Sequence, residues 1–354
     1  MSKYLKIFFL AVLFSFIWGA WWGFYRLEKH TPRIKNSSEI RLLARQGLFT
    51  PKFIEYYKKT FHTKIVLTEK KTEYEVLREI LSNFNSYDII QINSFIVKSF
   101  ILENIFLPLE LDDISHFKDI SIDFKNFDFD SDNKYLLPVS WGLNGFLINT
   151  EQISLANESL DEMLSSKAKF SILASPVEIY NIAIKLKPII KNWIETSQTE
   201  ELHKELKEIR SRLTILSSDS RKQMQDGSLK LAQMTNGNAA KLISENSSYR
   251  FVLPKERATL WINLLSVSRG SRDARLAHSF LNNLLNTKIH RKLIEEAEEA
   301  SVLESLNASN LPLLQKAEFI RRVPLSRFEL FINHDVFEPT WSQALRKEWS
   351  EFAY

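Results

Sequence analysis

Three short apolar runs separated by amphipathic stretches, all within residues 39–92, restrict what this chain can fold into more than any other feature. Glu39–Ala44, Lys64–Thr68 and Tyr87–Ile92 read as strands. Between the first two, Pro51–Phe61 reads as a helix: Pro51 suits the first turn, and Phe53, Ile54, Tyr57 and Phe61 share one face. Between the second and third, Tyr74, Leu77, Ile80 and Leu81 repeat at helical spacing. The third run is nearly continuous in apolar residues, as a strand covered on both faces must be. This βαβαβ order implies right-handed crossovers and an open, parallel sheet.

The same alternation resumes further on. Tyr135–Asn149 reads as two strand-like runs broken at Trp141-Gly142. Phe170–Ala174 is a strand, Val177–Leu186 a helix, and Thr199–Leu213 a helix whose charges at i and i+4 mark a solvated face. Further strands are expected at Ile215-Leu216, Ser228–Met234 and Arg250–Leu253, and helices at Leu276–Leu285 and Ile289–Ala297. Between the two units lie a short helix near Ser94–Glu103 and an acidic stretch at 112–132. The latter reads as a long loop that pins Phe117, Phe124, Phe127 and Phe129 onto the body. A chain of 354 residues suffices for two lobes, each with its own core.

Ile7–Tyr25 carries no charge and follows the lysine-bearing MSKYLK, the physical signature of insertion at a translocon. The run approaches the length that spans a bilayer, and Trp18, Trp21, Trp22 and Tyr25 gather at its far end. Residues 1–30 are therefore expected to be a cleaved signal or an inner-membrane anchor through residues 7–25. Trp18 argues against cleavage after Ala20, where a small residue is preferred.

Charge and motifs exclude whole classes. The formal charge of +4 is mostly that leader: Lys3, Lys6, Arg26 and Lys29 against Glu28 leave the body near +1. Such a body has no electrostatic footprint for nucleic acid. With no cysteine, disulfides, thiolate metal sites, a cysteine nucleophile and a lipid-bearing cysteine are all excluded. GxSxG, P-loop, HExxH and strand-borne GxGxxG patterns are absent, and the seven histidines are scattered. No catalytic residue, metal or cofactor is expected.

In open α/β sheets, ligands sit beyond the carboxyl ends of the strands. Those ends supply Arg45-Gln46, Asn93-Ser94-Phe95, Trp141-Gly142 at the crossover, Asn236-Gly237 and Trp261 with Asn263. Amides, hydroxyls and aromatic faces hold a ligand; they do not transfer protons.

Tyr87-Asp88-Ile-Ile with Ser94-Phe95, Leu107-Pro-Leu, Leu137-Pro-Val-Ser-Trp141-Gly142, Gly227-Ser-Leu-Lys-Leu, Asn236-Gly237 and Trp261-Ile-Asn263-Leu-Leu-Ser-Val follow one another in an order that resembles the spermidine/putrescine-type solute-binding proteins of ABC transporters. The resemblance runs from about residue 39 to the C-terminus. It implies an α/β, two-lobed type II periplasmic-binding-protein fold, each lobe a mainly parallel sheet flanked by helices, with the ligand between them. Lobe one is expected over 31–143 and 264–324, lobe two over 144–263, and a C-terminal helical segment over 325–354.

In that family aromatic walls hold a methylene chain and several carboxylates hold the ammonium groups. Here the pattern departs. Arg45-Gln46 stands where an aromatic and an acid are expected, and Ser94-Phe95 lacks a tyrosine hydroxyl. Ala174-Ser175-Pro176 replaces an acidic loop and leaves Glu178 as a lone acid. Thr235 replaces a tryptophan; Trp261 matches, but Asn263 replaces an acid. These departures predict a neutral or anionic solute in preference to a polyamine. The expected protein is a monomeric, periplasmic or inner-membrane-anchored receptor that delivers a small molecule to an ABC permease. The alternative is a degenerate binding protein serving as a membrane-tethered sensory or interaction module.

Overall fold

Each of the first two helices begins on a threonine that caps it. Thr50 Oγ1 accepts from Phe53 N and Thr72 Oγ1 from Glu75 N, both at 3.2 Å. They belong to a computed structural model that describes residues 39–97, 104–165, 169–212, 215–217, 219–330 and 339–348. The apolar run at 7–25 and the second half of the helix expected near 94–103 lie outside the described residues.

The first unit is β1 (Glu39–Arg45), α1 (Pro51–Phe61), β2 (Lys64–Lys70), α2 (Glu73–Asn83) and β3 (Ile89–Asn93). As the sequence predicts, β2, β1 and β3 pair in parallel. His62, in the left-handed conformation at φ 52°, ends α1.

β4 (Leu137–Asn149) corrects one expectation: it is a single thirteen-residue strand, not two runs broken at Trp141-Gly142. The glycine serves packing instead of a turn. A Cβ at position 142 would lie 2.2 Å from Cζ2 of Trp261, so only glycine lets that indole lie flat on the strand.

The second unit holds α3 (Leu160–Ser165), β5 (Phe170–Leu173), α4 (Pro176–Leu186), α5 (Ile190–Glu195), α6 (Thr199–Arg212), β6 (Ile215–Ser217), α7 (Arg221–Gln225), β7 (Leu231–Thr235), α8 (Asn236–Glu245) and β8 (Tyr249–Val252). After it come β9 (Ala258–Val267), which crosses back to the first unit, then α9 (Ala274–Leu285), α10 (Thr287–Ala297), β10 (Ala300–Ser301), α11 (Glu318–Arg322), β11 (Phe328–Leu330) and α12 (Pro339–Glu348).

The sheet order is β2-β1-β3-β9-β4-β7-β5-β6. β4 and β9 run antiparallel from Leu137↔Leu265 to Asn144↔Thr259. The C-terminal half of β9 pairs with β3, and the C-terminal half of β4 pairs with β7 and β8. These two strands therefore carry the chain from one lobe to the other, in the two-lobed periplasmic-binding-protein arrangement. One contiguous apolar core follows them through both lobes, and a smaller cluster around Leu147, Met224 and Leu242 lies under α8.

The 112–132 stretch packs as expected, with Phe124 stacked on Trp141 at 5.6 Å and Phe127 on Phe129 at 5.0 Å. The C-terminal segment is not purely helical. β11 lies beside β9, and Trp341 of α12 meets Tyr180 edge-on at 5.0 Å. Among the described residues no helix is long and apolar enough to cross a membrane.

Candidate functional site: the cleft between the lobes

A cavity of about 320 Å³ opens where the strand ends of the two lobes face each other. Lobe one brings Arg45 and Gln46 at the end of β1, and Asn93 and Phe95 at the end of β3. Lobe two brings Glu178 from the first turn of α4, and Thr235 and Asn236 where β7 enters α8. Trp261 and Asn263 reach the cavity from the crossing strand β9.

Two residues expected at the site are elsewhere. Trp141 is fully buried, donates from Nε1 to the Ser301 carbonyl at 2.8 Å, and stacks between Phe124 and Phe319. Alternate residues of a strand face opposite ways. Since Gly142 shares a face with its cross-strand partner Trp261, its neighbour Trp141 must point into the core. Ser94 is also fully buried, and its Oγ accepts from Ile262 N at 3.2 Å. It ties β3 to β9 and does not line the cavity.

The cleft also contains residues that the strand-end rule misses: Glu73, Asn144, Glu298 and Glu299. Glu298 and Glu299 follow the end of a helix, and Asn144 lies mid-strand. The local signal is Asn144 itself, a polar residue with Ser140 in a mostly apolar crossing strand.

Glu178 is 3% exposed. Its Oε1 accepts from Asn144 Nδ2 and its Oε2 from Gln233 Nε2, both at 2.7 Å. Asn144 Oδ1 in turn accepts from Trp261 Nε1 at 2.9 Å, so one amide fixes both the indole and the carboxylate. Burial pushes the Glu178 carboxyl above the usual glutamate range, against these hydrogen bonds and the more distant charge of Lys185.

Glu299 lies deep in the protein, with access to water through the cleft. Its Oε2 accepts from Ser140 Oγ and, at 3.0 Å, from Asn263 Nδ2. Asn263 Oδ1 accepts from Gln91 Nε2 at 3.0 Å and Asn93 Nδ2 at 3.2 Å. A carboxylate accepts only, so this chain of amides has one orientation: each NH₂ points toward Glu299. Burial again raises the carboxyl. Among the described residues neither Glu178 nor Glu299 forms an ion pair.

The rim differs. Arg45 Nε lies 2.9 Å from Glu73 Oε1, and Glu298 pairs with Lys241 at 2.6 Å and with Arg221. Asn236 is occupied by the protein itself: Oδ1 accepts from Leu143 N at 2.8 Å and Nδ2 donates to the Leu314 carbonyl at 2.6 Å. Thr235 Oγ1 caps α8, accepting from Asn238 N at 3.3 Å. Among the described residues no histidine lines the cavity, and no group of acidic and histidine side chains could hold a metal.

No family model matches the chain. In sequence it is 25% identical over 251 residues to spermidine/putrescine-binding periplasmic protein 1 of Haemophilus influenzae, covering 68% of each chain. In structure, a Listeria monocytogenes protein assigned to spermidine/putrescine ABC transport superposes with a TM-score of 0.72 at 18% identity, over 89% of this chain and all of that one. The spermidine/putrescine ABC transporter substrate-binding protein PotD of Streptococcus pneumoniae superposes with a TM-score of 0.64 at 15% identity, over 88% and 98%. In sequence and in fold, the chain is similar to the spermidine/putrescine-binding periplasmic proteins of ABC transporters.

Proposed function

We propose that this chain is an extracytoplasmic solute-binding protein of an ABC transporter, not an enzyme, and that its cleft takes a small cationic amine. The observation that carries the ligand class is the pair of hydrogen-bonded carboxylates that form no ion pair, Glu178 buried in one lobe and Glu299 partly buried in the other. A buried charge is costly unless a partner compensates it. An ammonium group entering the cleft supplies that partner, and Trp261 and Phe95 offer apolar faces for the carbon chain between.

This reading replaces the neutral or anionic solute that the missing family acids and Arg45 suggest. Glu178 is not a lone acid, since Glu299 joins it from beyond a helix end. Arg45 is engaged by Glu73, which removes much of its attraction for an anion. A neutral or anionic solute would leave the floor carboxylates with only the more distant charges of Lys185 and Arg45 to compensate them.

The rest of the reading carries over from the sequence. Of the described residues, lobe one takes those within 39–143 and 264–324 and lobe two those within 144–263, with β11 and α12 packed on lobe two. Residues 1–30 export the chain or tether it to the inner membrane, where a permease receives the ligand.

Calorimetry on the purified protein with putrescine, spermidine, 1,4-butanediol and succinate tests the proposal. Binding of an amine is expected, each charge-assisted hydrogen bond contributing about 1.5–3 kcal/mol. Binding of succinate or the diol alone would restore the neutral-or-anionic reading. Heats from none of them would favour a module that has lost its solute.

A further inference from the structure

We infer that Glu298 is the closing latch of the two lobes. Glu298 caps α10 in lobe one, held in the left-handed conformation at φ 55°, ψ 38° by a bond from its N–H to the Ile294 carbonyl. That geometry turns its side chain toward lobe two. There Oε1 receives Lys241 Nζ of α8 at 2.6 Å, and Oε2 receives Nη1 of Arg221 of α7. Arg221 is itself oriented by Asp219, whose Oδ1 accepts from Nε at 2.9 Å and whose Oδ2 accepts from Nη2 at 2.7 Å. One face of the guanidinium fork is thereby fixed within lobe two, and the remaining nitrogen is left for the opposite lobe.

Among the described residues, the ion pairs that cross the cleft all converge on this glutamate. The others join residues within one lobe, or the C-terminal segment to lobe two. The backbone makes the same contact closer still. Gly237, at the start of α8, lies against the Glu298 carbonyl so tightly that a Cβ would come within 1.8 Å of that oxygen. Position 237 therefore requires glycine because the lobes meet there, not because of its φ. The partly exposed ion pairs give the closed arrangement a component that salt screens, while the glycine lets the backbones meet.

The inference needs the two lobes to move as units, but it does not depend on the charge of the ligand. The chain contains no cysteine, so Ser82→Cys in lobe one and Ser244→Cys in lobe two, both exposed, place a pair of spin labels without background. Label-to-label distances would be measured by pulsed electron resonance on the full chain, in buffer alone and with putrescine.

In buffer alone, Glu298→Gln is expected to lower the closed-to-open ratio by about four- to twenty-five-fold, two partly exposed ion pairs contributing a factor of about two to five each. Lys241→Met should account for one of those factors. Raising ionic strength roughly tenfold should shift the parent protein the same way and leave Glu298→Gln nearly unmoved. Gly237→Ala should open the lobes through sterics alone, with no dependence on salt. Glu304→Gln, which breaks a pair with Arg321 inside lobe one, should leave the distances unchanged.

Identical distance distributions for the parent and Glu298→Gln at low salt would overturn the latch, as would equal salt sensitivity in both. The putrescine arm separates this from the ligand reading. If putrescine moves no distance while Glu298→Gln does, the latch stands and the amine proposal fails.

Discussion

The cleft holds four glutamates of two kinds, and the contrast between its rim and its floor explains what each is for. At the rim, Glu73 and Glu298 each face a cation of the protein, Arg45 in one case and Lys241 with Arg221 in the other. On the floor, Glu178 and Glu299 are held only by neutral donors: Asn144 and Gln233 for one, Ser140 and Asn263 for the other. The side chain is the same, but the rim charges are satisfied within the fold and the floor charges are not. Amides and a hydroxyl fix the position of a carboxylate without neutralising it, and the negative charge stays available to a ligand.

The sharpest way to break this contrast is to neutralise the floor. Glu178→Gln and Glu299→Gln are each expected to weaken putrescine binding by about 10- to 150-fold, the loss of one charge-assisted contact. Calorimetry reads it, and a change below threefold for both would remove the floor from the site.

The same two variants should differ in stability. Both hydrogen bonds to Glu299 fall on Oε2, so a glutamine there keeps its carbonyl as acceptor and sheds a buried charge. Glu299→Gln should therefore leave the protein at neutral pH as stable as before, or more stable by on the order of 1 kcal/mol. Glu178 accepts on both oxygens, so a glutamine would aim its NH₂ at another NH₂ and cost about 1–3 kcal/mol. Thermal unfolding of the two variants distinguishes them, and equal shifts would contradict the network as described.

Titration gives a smaller effect with a defined sign. Burial raises both floor carboxyls, so the folded protein retains protons that the unfolded chain has lost. Without ligand, their contribution to stability is then fully present below the ordinary glutamate range and is lost as pH rises through the elevated values. Amine binding runs the other way: it is strongest above those values and weakens as pH falls through them, with protons released on binding at intermediate pH. Calorimetry in buffers of different ionisation enthalpy counts those protons. An affinity independent of pH through that window would show that the floor does not meet the ammonium.

The rim should respond least. Glu73→Gln frees a half-exposed Arg45, and such pairs contribute about 0–1 kcal/mol, so putrescine affinity should fall by less than about fivefold. A larger loss would make Glu73 a floor residue in all but position.

The elements are legible in the residues alone, because strand and helix periodicities are local. The first helix begins and ends where Pro51 and Phe61 say it should, and Arg45, Asn93 and Thr235 reach the cleft because strand ends converge in any open α/β sheet. Tertiary structure decided which tryptophan faces the ligand. Trp141 and Trp261 are alike in composition and context, and only the pairing of Gly142 with Trp261 sends one into the core and the other into the cavity. It also decided the charge of the site. Glu299 lies some 120 residues beyond Glu178 in the chain and follows a helix end, so its place opposite Glu178 exists only once β4 and β9 have crossed. A count of acids at aligned loop positions misses such a residue, because burial and countercharge belong to the folded arrangement and not to the position in the sequence.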